Sequence, residues 1–254
     1  MVRMIMHGCN GRMGKMIADI VSSDPDIEIV EGVDLNTDAS LGFNVVDSIE
    51  KITQQADVVV DFGNASAVDK VIDWCIANSV ALVECTTGLS DETLSKIKDA
   101  AGHIAMFKSA NMSLGINIIQ KILRENASKL AEAGFDIEIV EKHHKTKLDA
   151  PSGTALALAD SVNEGLSQKK DYVFDRSERR MVRPATEIGI SAVRGGTIVG
   201  DHDVIFAGQD EVITFSHSAY SRAVFAKGAV EAAKYCAGKP AGAYDMSNVV
   251  SLRK

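Results

Sequence analysis

Over the first hundred residues, short apolar runs alternate with longer amphipathic stretches. "VRMIMH" is compact and apolar, whereas in "GCNGRMGKMIADIVSS" Met13, Ile17, Ile20 and Val21 recur at the spacing of one helical face. The Asp24-Pro25 step ends that helix, and "IEIVEGVD" reads as a second strand closing at Asp34. Residues 35–47, with Asn, Thr, Asp, Ser and Gly, are looser. "ADVVVDF" is apolar on both faces, as in a strand covered on both sides of a parallel sheet. A helix in "SAVDKVIDWCIANS", a strand in "VALVEC", a helix opening at Ser90–Thr93 in "SDETLSKIKDAAG" and a strand in "HIAMFK" continue the alternation. This order predicts an α/β, doubly wound parallel sheet with right-handed crossovers.

The texture changes after Asn111. "LGINIIQKILRENASKLAEAG" is one long amphipathic helix, "FDIEIVEKHH" a strand, and "SGTALALADSVNEGL" a helix capped by Ser152. Three strand-like runs, "EIGISAVR", "TIVGDHDVIFAG" and "DEVITFSHS", follow with no helix between them, which predicts antiparallel pairing in a separate α+β domain. "SRAVFAKGAVEAAKYCAG" is a final helix whose partner composition does not reveal.

Composition narrows the function. With 46% hydrophobic and 24% charged residues over 254 positions, the chain is ordinary for a soluble globular protein. A net charge of −8 argues against nucleic-acid or anionic-membrane partners. The basic cluster "RSERRMVR" reads as a solvated loop. No apolar run approaches the roughly 18 residues of a membrane span. Cys9, Cys75, Cys85 and Cys236 form neither a CxxC pair nor a metal-type spacing, so the expectation is a reduced, cytoplasmic protein.

Gly8, Gly11 and Gly14 fall at intervals of three between the first strand and the first helix. A tight turn there lets backbone approach a pyrophosphate, and the helix N-terminus offers unpaired N–H groups. The spacing departs from G-x-G-x-x-G, and a ligand-free glycine turn has the same pattern. Asp34, at the end of the second strand, suits hydrogen bonding to an adenosine ribose and disfavours a 2′-phosphate. Arg12 and Lys15 offer partial compensation, so NADH is favoured with NADPH tolerated. Thr86, Thr87 and Asn111 follow later strands and are expected near a nicotinamide, although turns and caps also use these residues.

"EKHHKTKLDAPSGTA" carries the densest chemistry. Adjacent strand residues face opposite ways, and His7, His103, His202 and His217 stand in no ligand spacing, so no metal is expected. Acid–base work fits better. Histidine exchanges protons near neutral pH, Lys147 adds positive charge, and the Ser152–Thr154 helix start offers N–H groups to a carboxylate. A small anionic substrate follows; a polar strand end with solvated lysines is the plainer alternative.

Taken together, "GCNGRMG", "ECTTG", "SANMSLGIN", "EKHHKTKLDAPSGTA", "VRGGTIVGDHDVIF" and "SHSAYSRAVFAKGAV" resemble the dihydrodipicolinate (4-hydroxy-tetrahydrodipicolinate) reductase family, in family order through nearly the whole chain. The resemblance implies a Rossmann-type dinucleotide domain over 1–113 and 222–254, completed by the carboxy-terminal helix. It also implies an α+β substrate and tetramerisation domain over 114–221 with an open mixed sheet. It implies NAD(P)H-dependent reduction of a small cyclic dicarboxylate in lysine (diaminopimelate) biosynthesis by a homotetramer. Hydride would add at C4 of a conjugated cyclic imine, and the enamine carbon would then take a proton. Carried over, His143 is the acid–base residue and Lys147 the second proton donor and carboxylate partner. His144, Gly153 and Thr154 hold substrate carboxylates. Gly8, Cys9, Asn10, Gly11, Arg12, Met13, Asp34, Cys85, Thr86, Thr87, Ser109, Ala110, Asn111 and Met112 contact cofactor. The sequence departs from the family where Cys85 replaces a frequent glycine, Met112 a frequent phenylalanine, and Leu35 an arginine that some members use for the 2′-phosphate. A different Rossmann dehydrogenase, for instance on an amino-acid semialdehyde, leaves the His-His-x-x-Lys unit unexplained. A redox sensor needs neither His143 nor Lys147.

Overall fold

The computed structural model describes residues 1–37 and 40–251, so Asp38 and Ala39 of the loose 35–47 stretch lie outside the described residues. The chain divides into two compact units. One holds Met1–Ser113 with Ala223 onward, the other Leu114–Arg222.

The first unit opens with β1 (Val2–His7), α1 (Arg12–Ser22), β2 (Ile27–Val33) and the short β3 (Val45–Val46). It continues through β4 (Val58–Asp61), α2 (Val68–Asn78), β5 (Ala81–Glu84), α3 (Asp91–Ala100) and β6 (Ala105–Lys108). Every residue of β4 and β5 is buried, as their two-faced apolar patterns require. Ser90 caps α3 by accepting from the Thr93 amide. Ile5, Val59 and Leu82 from the sheet pack with Val71, Ile72 and Ile97 from α2 and α3.

The second unit contains α4 (Leu114–Glu132), β7 (Asp136–His143), α5 (Gly153–Gly165), β8 (Asp171–Val173), β9 (Glu187–Arg194), β10 (Gly200–Ala207) and β11 (Val212–Ala219). Its sheet runs β11-β10-β7-β9-β8. β10 pairs antiparallel with β7 and β11, but β9 pairs parallel with β7. The expectation of antiparallel pairing throughout 187–218 is thus corrected for "EIGISAVR". A parallel return needs a long crossover, and α5 between β7 and β9 supplies one. The sheet is mixed. Ile137, Ile139, Val204 and Phe206 meet Leu123, Leu158 and Val162 of α4 and α5 in the core of this unit.

The chain then returns to the first unit through α6 (Ala223–Cys236), β12 (Gly242–Tyr244) and α7 (Met246–Ser251). Gly228 lets α6 close onto the backbone of Met112, where a Cβ would stand within 1.7 Å of the Met112 carbonyl oxygen. β12 adds an edge strand that was not expected, giving the parallel order β12-β6-β5-β4-β1-β2-β3. Strand order reverses between β1 and β4, so the crevice opens at their carboxyl ends.

The basic cluster lies in the loop between β8 and β9, where residues 177–182 are exposed, yet three of its arginines are paired. Arg176 and Arg179 pair with Glu187, and Arg183 reaches Asp136 and Glu138 along the sheet. Sequence distance concealed Asp136 and Glu138.

Candidate active site

In the first unit the β1–α1 turn is shaped by two glycines. Gly8 has φ +79°, and a Cβ there would stand 2.6 Å from the Phe62 carbonyl oxygen. At Gly14 a Cβ would lie 2.3 Å from the Gly8 carbonyl oxygen, so only glycine lets α1 start so close beneath the turn. Asp34 accepts hydrogen bonds from the Asn10 amide at 2.9 Å and the Asn36 amide at 3.0 Å, tying the turn to the end of β2. A cleft of ≈ 510 Å³ opens here, lined by His7, Gly8, Gly11, Asp34 and Leu35. Sequence reasoning missed its other walls, among them Phe62 and Asn64 after β4, Ser66 in a short turn and Lys70 on α2, because they belong to no recognisable motif.

The other predicted cofactor residues are spread along the same sheet edge. Cys9 is fully buried, while Arg12 is exposed and Met13 half-buried. Thr86 is buried with its hydroxyl unpartnered among the described residues, whereas Thr87 is exposed and Cys85 half-buried. Asn111 accepts from the Ser113 amide at 2.8 Å, and Ser109 donates to the Asn111 carbonyl at 3.1 Å. Ala110 is exposed, and Met112 is buried under α6. A tight glycine cradle, a helix N-terminus and the orphaned Thr86 hydroxyl suit a dinucleotide.

In the second unit the chemistry gathers around Glu141. Residues 141 and 143 share a face of β7, and the His143 Nδ1 nitrogen lies 2.6 Å from the Glu141 carboxylate. Glu141 also accepts from both terminal nitrogens of Arg194, each at 2.7 Å, and from the Ser152 amide at 2.9 Å. Burial pushes the Glu141 carboxyl up, but hydrogen bonds from Arg194, His143 and Ser152 outweigh it and hold the carboxyl below its ordinary value. The ionised carboxylate fixes the Nδ1 proton of His143 and leaves Nε2 as the exchanging nitrogen. Arg194 balances the Glu141 charge.

His202 stands opposite Glu141 on β10, with its ring edge-on to His143 at 5.1 Å between centroids. Burial, and then the nearby His143, push His202 down to about 4, so it is neutral near pH 7. Its Nε2 lies 3.0 Å from the Ser152 hydroxyl, which in turn accepts from the Ala155 amide and caps α5. Gly153 and Thr154 form the first turn of that helix, and a cis Ala150-Pro151 bond precedes it. Lys147 pairs with Asp149 at 2.8 Å, and His144 Nδ1 lies 2.8 Å from the Thr146 hydroxyl. His143 is therefore brought together with Glu141, Ser152, Arg194 and His202. His144 and Lys147 sit in the following loop with partners of their own.

Glu141 was legible in principle, since E-x-H on a strand places carboxylate and imidazole on one face. Arg194 and His202 were not, because only the β9 and β10 registers bring them beside β7.

Two family models cover almost the entire chain. The amino-terminal model of dihydrodipicolinate reductase matches residues 2–112, and its carboxy-terminal model matches residues 115–250. The chain belongs to the dihydrodipicolinate reductase family. A 4-hydroxy-tetrahydrodipicolinate reductase from Caldanaerobacter subterraneus is 50% identical over 98% of this chain and 98% of its own. Its counterpart from Clostridium tetani is 48% identical over 97% and 96%. Among solved structures, a dipicolinate-bound dihydrodipicolinate reductase from Paenisporosarcina sp. TG-14 superposes with a TM-score of 0.77 at 27% identity. It covers 98% of this chain and 99% of that one. The first unit of this dihydrodipicolinate reductase family chain is thus a pyridine-nucleotide-binding one.

Proposed function

We propose that the chain reduces 4-hydroxy-tetrahydrodipicolinate (dihydrodipicolinate) to tetrahydrodipicolinate, in the route to diaminopimelate and lysine, with NADH as the favoured cofactor. The observation that carries this reading is the Glu141–His143 pair, locked by Arg194 and by the Ser152 amide at the start of α5. Relatives of this name at up to half identity, and a solved one holding dipicolinate, support the substrate.

Gly8 to Met13 and Asp34 hold the adenosine and pyrophosphate, while Cys85, Thr86 and Thr87 with Ser109 to Met112 hold the nicotinamide end. Once the C4 hydroxyl has left as water to give the conjugated cyclic imine, a bound nicotinamide would supply the hydride that adds at C4. His143 gives the proton that the resulting carbon centre needs, and Glu141 keeps the ring turned so that Nε2 delivers it. Lys147, released from Asp149, pairs with a substrate carboxylate and serves as the second proton donor. His144 and the Gly153–Thr154 amides at the start of α5 bind the carboxylates.

The preference for NADH rests on charge. Asp34, Asp47 and Glu50 line the cleft with Lys70, an arrangement that repels a 2′-phosphate. Assembly as a homotetramer rests on the second unit's sheet, whose face away from α4 and α5 carries half-buried Val140 and Ile205 and exposed Val193. Such a strip suits sheet-to-sheet pairing between copies. Four unpaired cysteines fit a reducing cytoplasm.

Coupling the purified chain to dihydrodipicolinate synthase and following nicotinamide absorbance tests the activity. Oxidation of NADH dependent on both enzymes is expected. Folded, cofactor-binding protein with no oxidation above background would overturn the reading.

A further inference from the structure

The last residues of four neighbouring strands form a row of ionisable side chains that the proposed chemistry does not use. His7 ends β1, Asp61 ends β4, Glu84 ends β5 and Lys108 ends β6. They are register partners in sequence: His7 with Asp61, Asp61 with Glu84, and Glu84 with Lys108. Parallel pairing therefore points them to one face of the sheet, about 4.8 Å apart from strand to strand. Asp61 and Glu84 are both fully buried.

Each carboxyl spends one oxygen on the crevice loops. Asp61 Oδ1 accepts from the Gly63 amide at 2.7 Å and lies 2.6 Å from His7 Nδ1. Glu84 Oε1 accepts from the Thr86 amide at 2.6 Å. The remaining oxygens, Asp61 Oδ2 and Glu84 Oε2, are buried with no partner among the described residues. Two buried carboxylates with free oxygens on adjacent strands cannot both stay ionised without large repulsion, and one proton between them satisfies both.

We propose that Asp61 and Glu84 are positioning residues of the nucleotide cleft, sharing one proton and through it holding the Gly63 and Thr86 amides at the carboxyl ends of β4 and β5. This rests on the reading that the nucleotide occupies that cleft. His7 lines the cleft beside Gly8 and Gly63, so the pair lies one side chain below the ligand surface.

The surroundings favour the shared proton. Burial, and then the Asp61 charge, push Glu84 up to about 8, against the Thr86 amide and, more weakly, Lys108. Cys75 of α2 faces the same pair, and burial followed by both carboxylates pushes its thiol further up; Cys85 is affected in the same way. The buried positions of α6, which packs on β4 and β5, are small or apolar residues and Cys236 and bring no charge. Asp34 and Lys70 face the cleft itself. Losing the shared proton sets two carboxylates against each other beneath the loops and pushes the Gly63 and Thr86 amides out of place.

Two measurements on the protein without substrate test this. Infrared difference spectra between about pH 6 and about pH 9 should show one protonated-carboxyl band vanishing as pH rises, and Glu84→Gln should lack it. NADH affinity, read by fluorescence titration, should weaken above the titration by up to about tenfold per pH unit in the wild type. Glu84→Gln, isosteric with the protonated acid, should bind like wild type near pH 7 and lose that dependence; Asp61→Asn should flatten it too. A wild type with no such band, or variants that keep the wild-type pH dependence, would overturn the proposal. The wild-type spectrum decides even where a variant fails to fold. Binding that behaves as expected in a chain that reduces no dihydrodipicolinate would sink the proposed function and leave this inference standing.

Discussion

Replacing Glu141 by glutamine isolates the feature on which the proposed active site depends. The carboxylate is fully buried and receives four hydrogen bonds, two on each oxygen. Oε1 accepts from the Ser152 amide and Arg194 Nη2, and Oε2 from His143 Nδ1 and Arg194 Nη1. A glutamine keeps the volume, and its oxygen can serve the first pair. Its amide nitrogen then meets two donors. Arg194 cannot give up a proton, so His143 must move its own from Nδ1 to Nε2. Breaking a buried ion pair costs about 3–5 kcal/mol; because Arg194 keeps 19% exposure, the lower end, about 3 kcal/mol, is expected. In a chain of this size that lowers the melting midpoint by roughly 6–12 °C. The wrong tautomer removes proton transfer, worth about 10²–10⁴-fold in kcat. Steady-state rates in the coupled assay, with saturating NADH across pH, measure both kcat and its profile. Glu141→Asp, which keeps the charge, should recover part of the rate. A Glu141→Gln enzyme within about threefold of wild type, with an unchanged pH profile, would refute the orienting role.

His143→Gln should cut kcat by about 10²-fold or more while the NADH dissociation constant from calorimetry stays put; a near-normal rate removes His143 from proton transfer. The ratio of kcat/KM for NADH to that for NADPH should exceed one, given Asp34, Asp47 and Glu50 along the cleft, and a large NADPH advantage would refute the charge argument. His202 adds a pH dependence to stability. Its folded value of about 4 lies below the ordinary 6.5, so between the two the unfolded chain binds the extra proton and stability falls as pH falls. The contribution is complete above about pH 6.5 and amounts to roughly 3 kcal/mol lost on approaching pH 4. Urea unfolding of wild type and His202→Asn across that range should show the loss in the wild type alone; parallel curves would count against a neutral buried His202.

The first unit was largely written in local pattern. Two-faced apolar runs such as "ADVVVDF" mark buried parallel strands, and the turn at Gly8 to Gly14 announces itself because no other residue fits Gly8 and Gly14 there. The Ser90 and Ser152 caps were equally local. His143 stood out as a titratable group on a strand next to a helix start. What only tertiary structure decided was pairing across distance. β9 lies parallel to β7 because α5 carries the chain over, and that register sets Arg194 against His143, from where its guanidinium reaches Glu141. His202 reaches Ser152 only through the β10 ladder, and Arg176 and Arg183 find Glu138 only once β7 and β9 are side by side. The His7–Asp61–Glu84–Lys108 row is the extreme case. Its members lie 54, 23 and 24 positions apart by subtraction of their numbers, each an ordinary strand end. Periodicity tells which face a residue takes within its own strand. Which residues share that face across a sheet depends on strand order and register, and those are properties of the assembled fold.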